Sequence, residues 1–351
     1  MNKNRNLIKR AVACMGLLSF FLLGSEAVAQ ENNHVNLRVE ARGDYQYENI
    51  DGYPMDAANG FRGKQLNLRL NGNINDSWSY VYRQRMGKPN ADASYFDAVD
   101  HLNLTYTTGA WSFTGGKQTV AVGGYEYDIA PIDCYFYSEY CSNIGCYQFG
   151  ASVTHTLKSG RDAFMAQVTE SPFRGEDSKE MYAYNLMWMG RHDWFQTLYS
   201  LNAMECMPGE YIYYIALGNR FDLGGVVIDL DLMNRATNDQ PFFFRNCSVM
   251  GQVKVDVGQY VKLLAKATYD VNHTSTVGDF CVAPGTELTR LSGAVEVYPI
   301  KGKRDVRLHA AYGYTFGSAD RELNTLQDKQ SMIDIGLTWR INLVPFPWKK
   351  Q

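Results

Sequence analysis

The stretch Ile333-Asp334-Ile335-Gly336-Leu337-Thr338-Trp339-Arg340-Ile341-Asn342 decides the fold class. In an extended chain successive side chains point to opposite faces. Ile333, Ile335, Leu337, Trp339 and Ile341 then share one face, with Asp334, Gly336, Thr338, Arg340 and Asn342 on the other. At helical spacing the five apolar residues would be scattered around the axis. About ten residues is also what a tilted strand needs to cross a bilayer. The segment therefore predicts a strand with one face in lipid and one in water.

The pattern recurs along the chain. Val35, Leu37, Val39 and Ala41 alternate with Asn36, Arg38, Glu40 and Arg42, and Leu66, Leu68 and Leu70 with Asn67, Arg69 and Asn71. Tyr147, Phe149, Ala151 and Val153 alternate with Gln148, Gly150, Ser152 and Thr154. Sixteen segments qualify: 35–47, 62–74, 78–87, 98–108, 111–118, 146–157, 162–170, 181–189, 194–203, 211–221, 226–234, 247–257, 260–270, 287–298, 305–316 and 330–342. Their connectors alternate too. Short ones such as Asn75-Asp76-Ser77, Thr108-Gly109-Ala110 and Gly258-Gln259 have hairpin chemistry. Long ones lie near 48–61, 88–97, 119–145, 171–180, 204–210, 235–246, 271–286 and 317–329. The expected fold is all-β: a transmembrane antiparallel barrel of about sixteen strands with short periplasmic turns and long outer loops. A secreted soluble β protein has no reason to keep that alternation, or to hold Trp78, Tyr80, Trp111, Phe113, Tyr182, Trp188, Trp194, Phe221, Tyr298 and Trp339 near strand ends.

Residues 1–29 read as a signal peptide, with Lys3, Arg5, Lys9 and Arg10, an apolar core from Ala11 to Leu23, and Ala27-Val28-Ala29 before the cut. Residues 30–351 form the barrel domain, in the bacterial outer membrane after periplasmic transit. Without the leader, Lys+Arg falls from 34 to 30 and Asp+Glu from 37 to 36, a net charge of −6 that argues against nucleic acid as a partner. The expected partners are outer-membrane lipid and small hydrophilic solutes.

Gly115-Gly116-Lys117-Gln118, followed by a short apolar run and Gly123-Gly124, ends the fifth strand and opens the longest connector. Here the chain resembles the phosphate-selective porin O and P family, in its Bacteroidetes form. That resemblance implies a homotrimer of pores, each narrowed by a third loop folded inward, with phosphate among the expected solutes. The connector's own residues suit a constriction: Lys117, Tyr125, Glu126, Asp128 and Asp133 would place charge in the path. Strand parity sends Arg38, Arg42, Arg69, Arg83, Arg85, Lys262, Lys266, Arg290 and Arg307 to the lumen, with Arg340. Inward acids include Glu40, Asp44, Asp229, Asp231, Asp256, Glu296 and Asp334, so the wall is mixed in charge and phosphate selectivity does not follow from it.

Cys134, Cys141, Cys146, Cys206, Cys247 and Cys281 fall in or beside outer loops and are candidate disulfide partners, Cys141 with Cys146 being the local choice; free thiols are the alternative. Their spacing fits no metal site, and nothing indicates a cofactor. Catalytic motifs are absent, and His155, at outward parity beside a turn, has no outward Ser to act with. The reading is a passive diffusion pore rather than an enzyme. The other reading is a closed barrel that is a structural component of a surface complex.

Overall fold

In a computed structural model, residues 33–87, 95–175, 180–238, 240, 244–274 and 278–347 are described; the leader lies outside them. The strands are β1 Asn33–Ile50, β2 Tyr53–Pro54, β3 Gly60–Asn73, β4 Trp78–Arg85, β5 Val99–Thr108, β6 Trp111–Thr119, β7 Tyr147–Thr156, β8 Asp162–Glu170 and β9 Tyr182–His192. They continue as β10 Phe195–Met207, β11 Glu210–Asp222, β12 Val226–Thr237, β13 Asn246–Val257, β14 Val261–Asn272, β15 Glu287–Val297, β16 Val306–Ser318 and β17 Gln330–Pro347. β2 is a two-residue piece of the first loop, paired with β1. The other strands pair with their sequence neighbours, and β1 closes the ring by pairing with both β3 and β17. Every predicted strand is present in a closed, sixteen-stranded antiparallel barrel.

The alternation becomes two surfaces. Phe164, Leu186, Leu201, Leu291, Tyr312 and Ile335 point outward and are exposed, an apolar belt that water would not tolerate and lipid requires. At the short-turn end Trp78 meets Tyr106 at 4.9 Å, Trp111 meets His155 at 4.3 Å, and Phe195 meets Phe221 at 5.1 Å. That row forms one aromatic girdle. Tyr298 departs from the expected girdle: it is buried, and its hydroxyl donates to Glu296. The long connector expected at 204–210 is also corrected. β10 runs on to Met207 and β11 starts at Glu210, leaving a tight turn at Pro208 and Gly209.

The lumen is not polar all round. Met165, Met187, Met189, Leu198, Met204, Ile212, Tyr214 and Met233, on β8 to β12, are buried in two apolar clusters. Their covering residues are Val120, Ala121, Val122, Tyr125, Tyr127 and Tyr140, all from the third loop. Apolar inner walls are stable here because an apolar loop excludes water from them.

Candidate functional site

The third loop, residues 120–146, crosses the barrel interior by a traceable series of bonds. Its base is closed by the Val120 amide donating to Cys146 O at 2.9 Å. The Ala121 amide donates to Gln167 Oε1 of β8 at 2.7 Å, and that of Gly123 to Ser200 Oγ of β10 at 2.8 Å. Gly123 has no room for a side chain: a Cβ would lie 2.5 Å from Leu198 O. Gly218 of β11 likewise lies against Gly124, 2.7 Å from its Cα if given a Cβ. The second glycine pair of the motif therefore lays loop backbone directly on wall backbone. Gly116 serves the strand itself, since its φ of +117° suits only glycine. Gly123→Ala is expected to lift the loop off β10 and change single-channel conductance, with the barrel still migrating as folded in a heat-modifiability gel. Unchanged conductance would refute the close-packing account.

Two short helices follow, α1 (Tyr125–Asp128) and α2 (Glu139–Asn143). Wall carboxylates hold the first amides of each. Asp231 accepts from Tyr125 N and Glu126 N at 2.9 and 2.7 Å; Asp270 accepts from Glu139 N and Tyr140 N at 2.9 and 3.3 Å. Helix starts leave such amides unpaired, and a carboxylate satisfies them. In the far half of the loop, wall bases do the holding. Arg42 donates to Cys134 O at 2.6 Å, Lys266 to Phe136 O at 2.7 Å and to Glu126, and Arg290 to Tyr137 O at 3.2 Å. Arg307 and Arg340 grip Asp133 at 2.9 and 2.5 Å.

These bonds reassign most of the expected site residues. Glu126 and Asp133 carry charge that Lys266, Arg307 and Arg340 neutralise. Burial would raise the Asp133 carboxyl, yet the Arg340 and Arg307 guanidiniums hold it down at about 2. Its contribution to stability is thus present above the ordinary carboxylate range and is lost only as pH falls toward about 2. Tyr125 stacks under Arg220, 4.0 Å from ring centre to guanidinium carbon. Arg42 is bonded to Asp44, Arg85 to Asp100, and Lys262 lies 3.9 Å from Asp256. Lys117 does not line the constriction. It takes the outward parity of β6, sits over the Phe149 ring and donates to Phe96 O at 2.6 Å.

Asp128 has no ion pair among the described residues, and burial pushes its carboxyl up to about 7 despite Arg220 nearby. A raised carboxyl pKa favours the fold most below the unfolded value and loses that contribution as pH rises through about 7. Asp128→Asn is expected to raise the urea midpoint more at pH 8 than at pH 5. An equal shift at both would show that this carboxyl is not the titrating group.

Three inward bases remain on the opposite wall. Arg38 of β1 is directly across from Arg69 of β3, and Arg69 is directly across from Arg83 of β4. Side chains so placed are about 5 Å apart at Cβ, and like charges there repel. Arg38 reaches Glu40 and Arg83 reaches Asp100 only at 3.6 Å, and among the described residues Arg69 has no ion pair. Nε of Arg69 and of Arg83, and both polar atoms of Asn67 beside them, are buried without a hydrogen-bond partner among the described residues. Among the described residues, the guanidiniums of Arg38, Arg69, Arg83, Arg85, Arg307 and Arg340 stand around this row with the carboxylates Glu40, Asp100, Asp133 and Glu296, and beside them Arg42 and Lys64 pair with Asp44 and Asp334.

Among the described residues, the six cysteines are free thiols. Burial raises Cys141 well above its ordinary value, and Cys146 to about 11. Cys141, Cys206 and Cys281 lie in the apolar cluster under the loop. Sequence reading missed Arg235, which is fully buried and bonded to Asp279 at 2.8 Å, Ser248 at 2.9 Å and Asn246 at 2.7 Å. Its parity with Asp229 and Asp231 was the available signal.

A closed sixteen-stranded barrel with an apolar outer belt and a charged lumen crossed by its third loop is an outer-membrane porin, a passive diffusion channel. Residues 35–194, the first half of the barrel, match the family described as phosphate-selective porin O and P. Similar solved structures include the outer-membrane channel DcaP of Acinetobacter baumannii, 12% identical, TM-score 0.61, covering 91% of this chain and 100% of that one. The trimer form of OmpT, an outer-membrane protein of Vibrio cholerae, is 14% identical, with TM-score 0.60 and coverages of 89% and 100%. An anion-selective porin from Comamonas acidovorans is 9% identical, with TM-score 0.58 and coverages of 88% and 99%. Curated protein sequences give no match.

Proposed function

We propose that the channel is off-centre, runs between the third loop and the wall formed by β1 and β3 to β5, and passes small hydrophilic anions in preference to cations. The observation that carries this reading is the Arg38, Arg69 and Arg83 row. The loop's acids, which would otherwise oppose the row, are already gripped by Arg307, Arg340 and Lys266. A narrow path beside that surplus of positive charge favours anions by ordinary electrostatics. Phosphate is one oxyanion of suitable kind, given the family match. The third loop acts as the constriction. Residues 1–29 are removed as a signal peptide, and the mature barrel works in a lipid bilayer as a homotrimer, as the trimer form of OmpT supports.

The test is the reversal potential of purified protein in a planar bilayer across a KCl gradient. The reading expects a potential of the sign set by chloride. A potassium-set sign contradicts it.

A further inference from the structure

The eighth loop, residues 319–329, reaches across the loop-side mouth between two anchors. At its edges Arg321 and Lys329 pair with Asp51 of the first loop at 2.5 and 3.4 Å. In its middle, Thr325 N donates to Glu139 Oε1 at 2.9 Å and Leu326 N to Glu139 Oε2 at 2.7 Å. The two anchors differ in weight. The Asp51 pairs are solvent-facing, and such pairs contribute little, less still in salt. Glu139 is fully buried, and among the described residues its carboxylate has no cation at ion-pair distance. Burying a carboxylate without a counter-charge is costly, and what offsets it here is a set of N–H donors: Thr325, Leu326 and Asn143 Nδ2 at 2.7 Å. Asn143 extends the same knot. It accepts from the Thr325 hydroxyl at 2.6 Å and donates to Cys281 O of the seventh loop at 2.9 Å. Asp270 fixes the whole of α2 to the wall.

We propose that the eighth loop is a strap held across the mouth by the Glu139 carboxylate, and that its release widens the entrance to the channel. Glu139 is a positioning residue: it contacts no solute and acts through the loop it holds. In Glu139→Gln the new amide nitrogen would face a backbone N–H, so the grip fails without loss of side-chain volume.

The folded full-length protein in liposomes is treated with trypsin, cleavage after Arg321 and Lys329 is timed by mass spectrometry, and single-channel conductance is recorded. Glu139→Gln is expected to be cut about tenfold faster than wild type, the scale of losing hydrogen bonds to a charged group, and to show upward excursions in conductance. Asn143→Ala loosens the same knot from its partly exposed side and serves if Glu139→Gln does not give a heat-modifiable barrel. A folded variant with wild-type cleavage overturns the proposal. Faster cleavage with wild-type conductance overturns it equally, because the strap would then cover nothing that conducts.

Discussion

Replacing Arg69 by glutamate is expected to lower the chloride-to-potassium permeability ratio by about tenfold at 0.1 M salt, the scale of a two-charge change a few ångströms from the ion path. Arg69 is the centre of the row and has Arg38 and Arg83 directly across on either side. A carboxylate there would pair with both neighbours, so three positive charges would become one. The barrel should tolerate the change, because like charges facing one another across strands become opposite ones. Arg69→Gln, which removes one charge, should give an intermediate ratio. The difference should shrink at 1 M salt, where screening acts over about 3 Å. A Glu variant with the wild-type ratio would mean that ions do not pass this wall.

Arg235→Ala is expected to be the most destabilising single change in the mouth, by about 3–5 kcal/mol, the usual cost of leaving one buried charge without its partner. Arg235 Nε bonds Asp279 Oδ2 at 2.8 Å, and the Asp279 carboxylate in turn accepts from the Cys281 and Val282 amides of the seventh loop. Tyr140 of α2 lies over the same guanidinium, 5.1 Å from ring centre. Losing the arginine therefore strands a carboxylate and loosens two loops together. Urea unfolding in lipid vesicles reads the effect. A loss below about 1 kcal/mol would place this pair among ordinary surface bridges.

The barrel was legible because its signal is local. Ile333 to Ile341 declare a two-faced strand with no knowledge of any partner, and the connector lengths declare which end is which. The reading failed where inner-face residues answer to a distant segment. Met204 and Cys206 continue the inward parity of β10, but as apolar residues on a face expected to be polar they read as the end of the strand. They are apolar because the third loop covers them. The same blindness hid Arg235, one residue past the strand boundary expected at 234. Parity assigns the inward bases, yet it cannot say which are occupied. Arg307 and Arg69 look alike in sequence. Only the loop's path shows that Arg307 holds Asp133 whereas Arg69 faces two other arginines. Lys117 was misplaced for a related reason: its motif suggested the loop, while its parity on β6 sends it outward under Phe96.

The most direct test of an off-centre channel is thiol block of conductance at two inward positions, one on each side of the lumen. Asn71→Cys lies on β3 beside the arginine row, and Met165→Cys lies on β8 beneath the third loop. With wild type as control for the native thiols, a water-soluble methanethiosulfonate is added during single-channel recording. The account predicts stepwise block of Asn71→Cys, with Met165→Cys behaving as wild type. Block of Met165→Cys with none of Asn71→Cys would put the channel on the other side of the loop and contradict it.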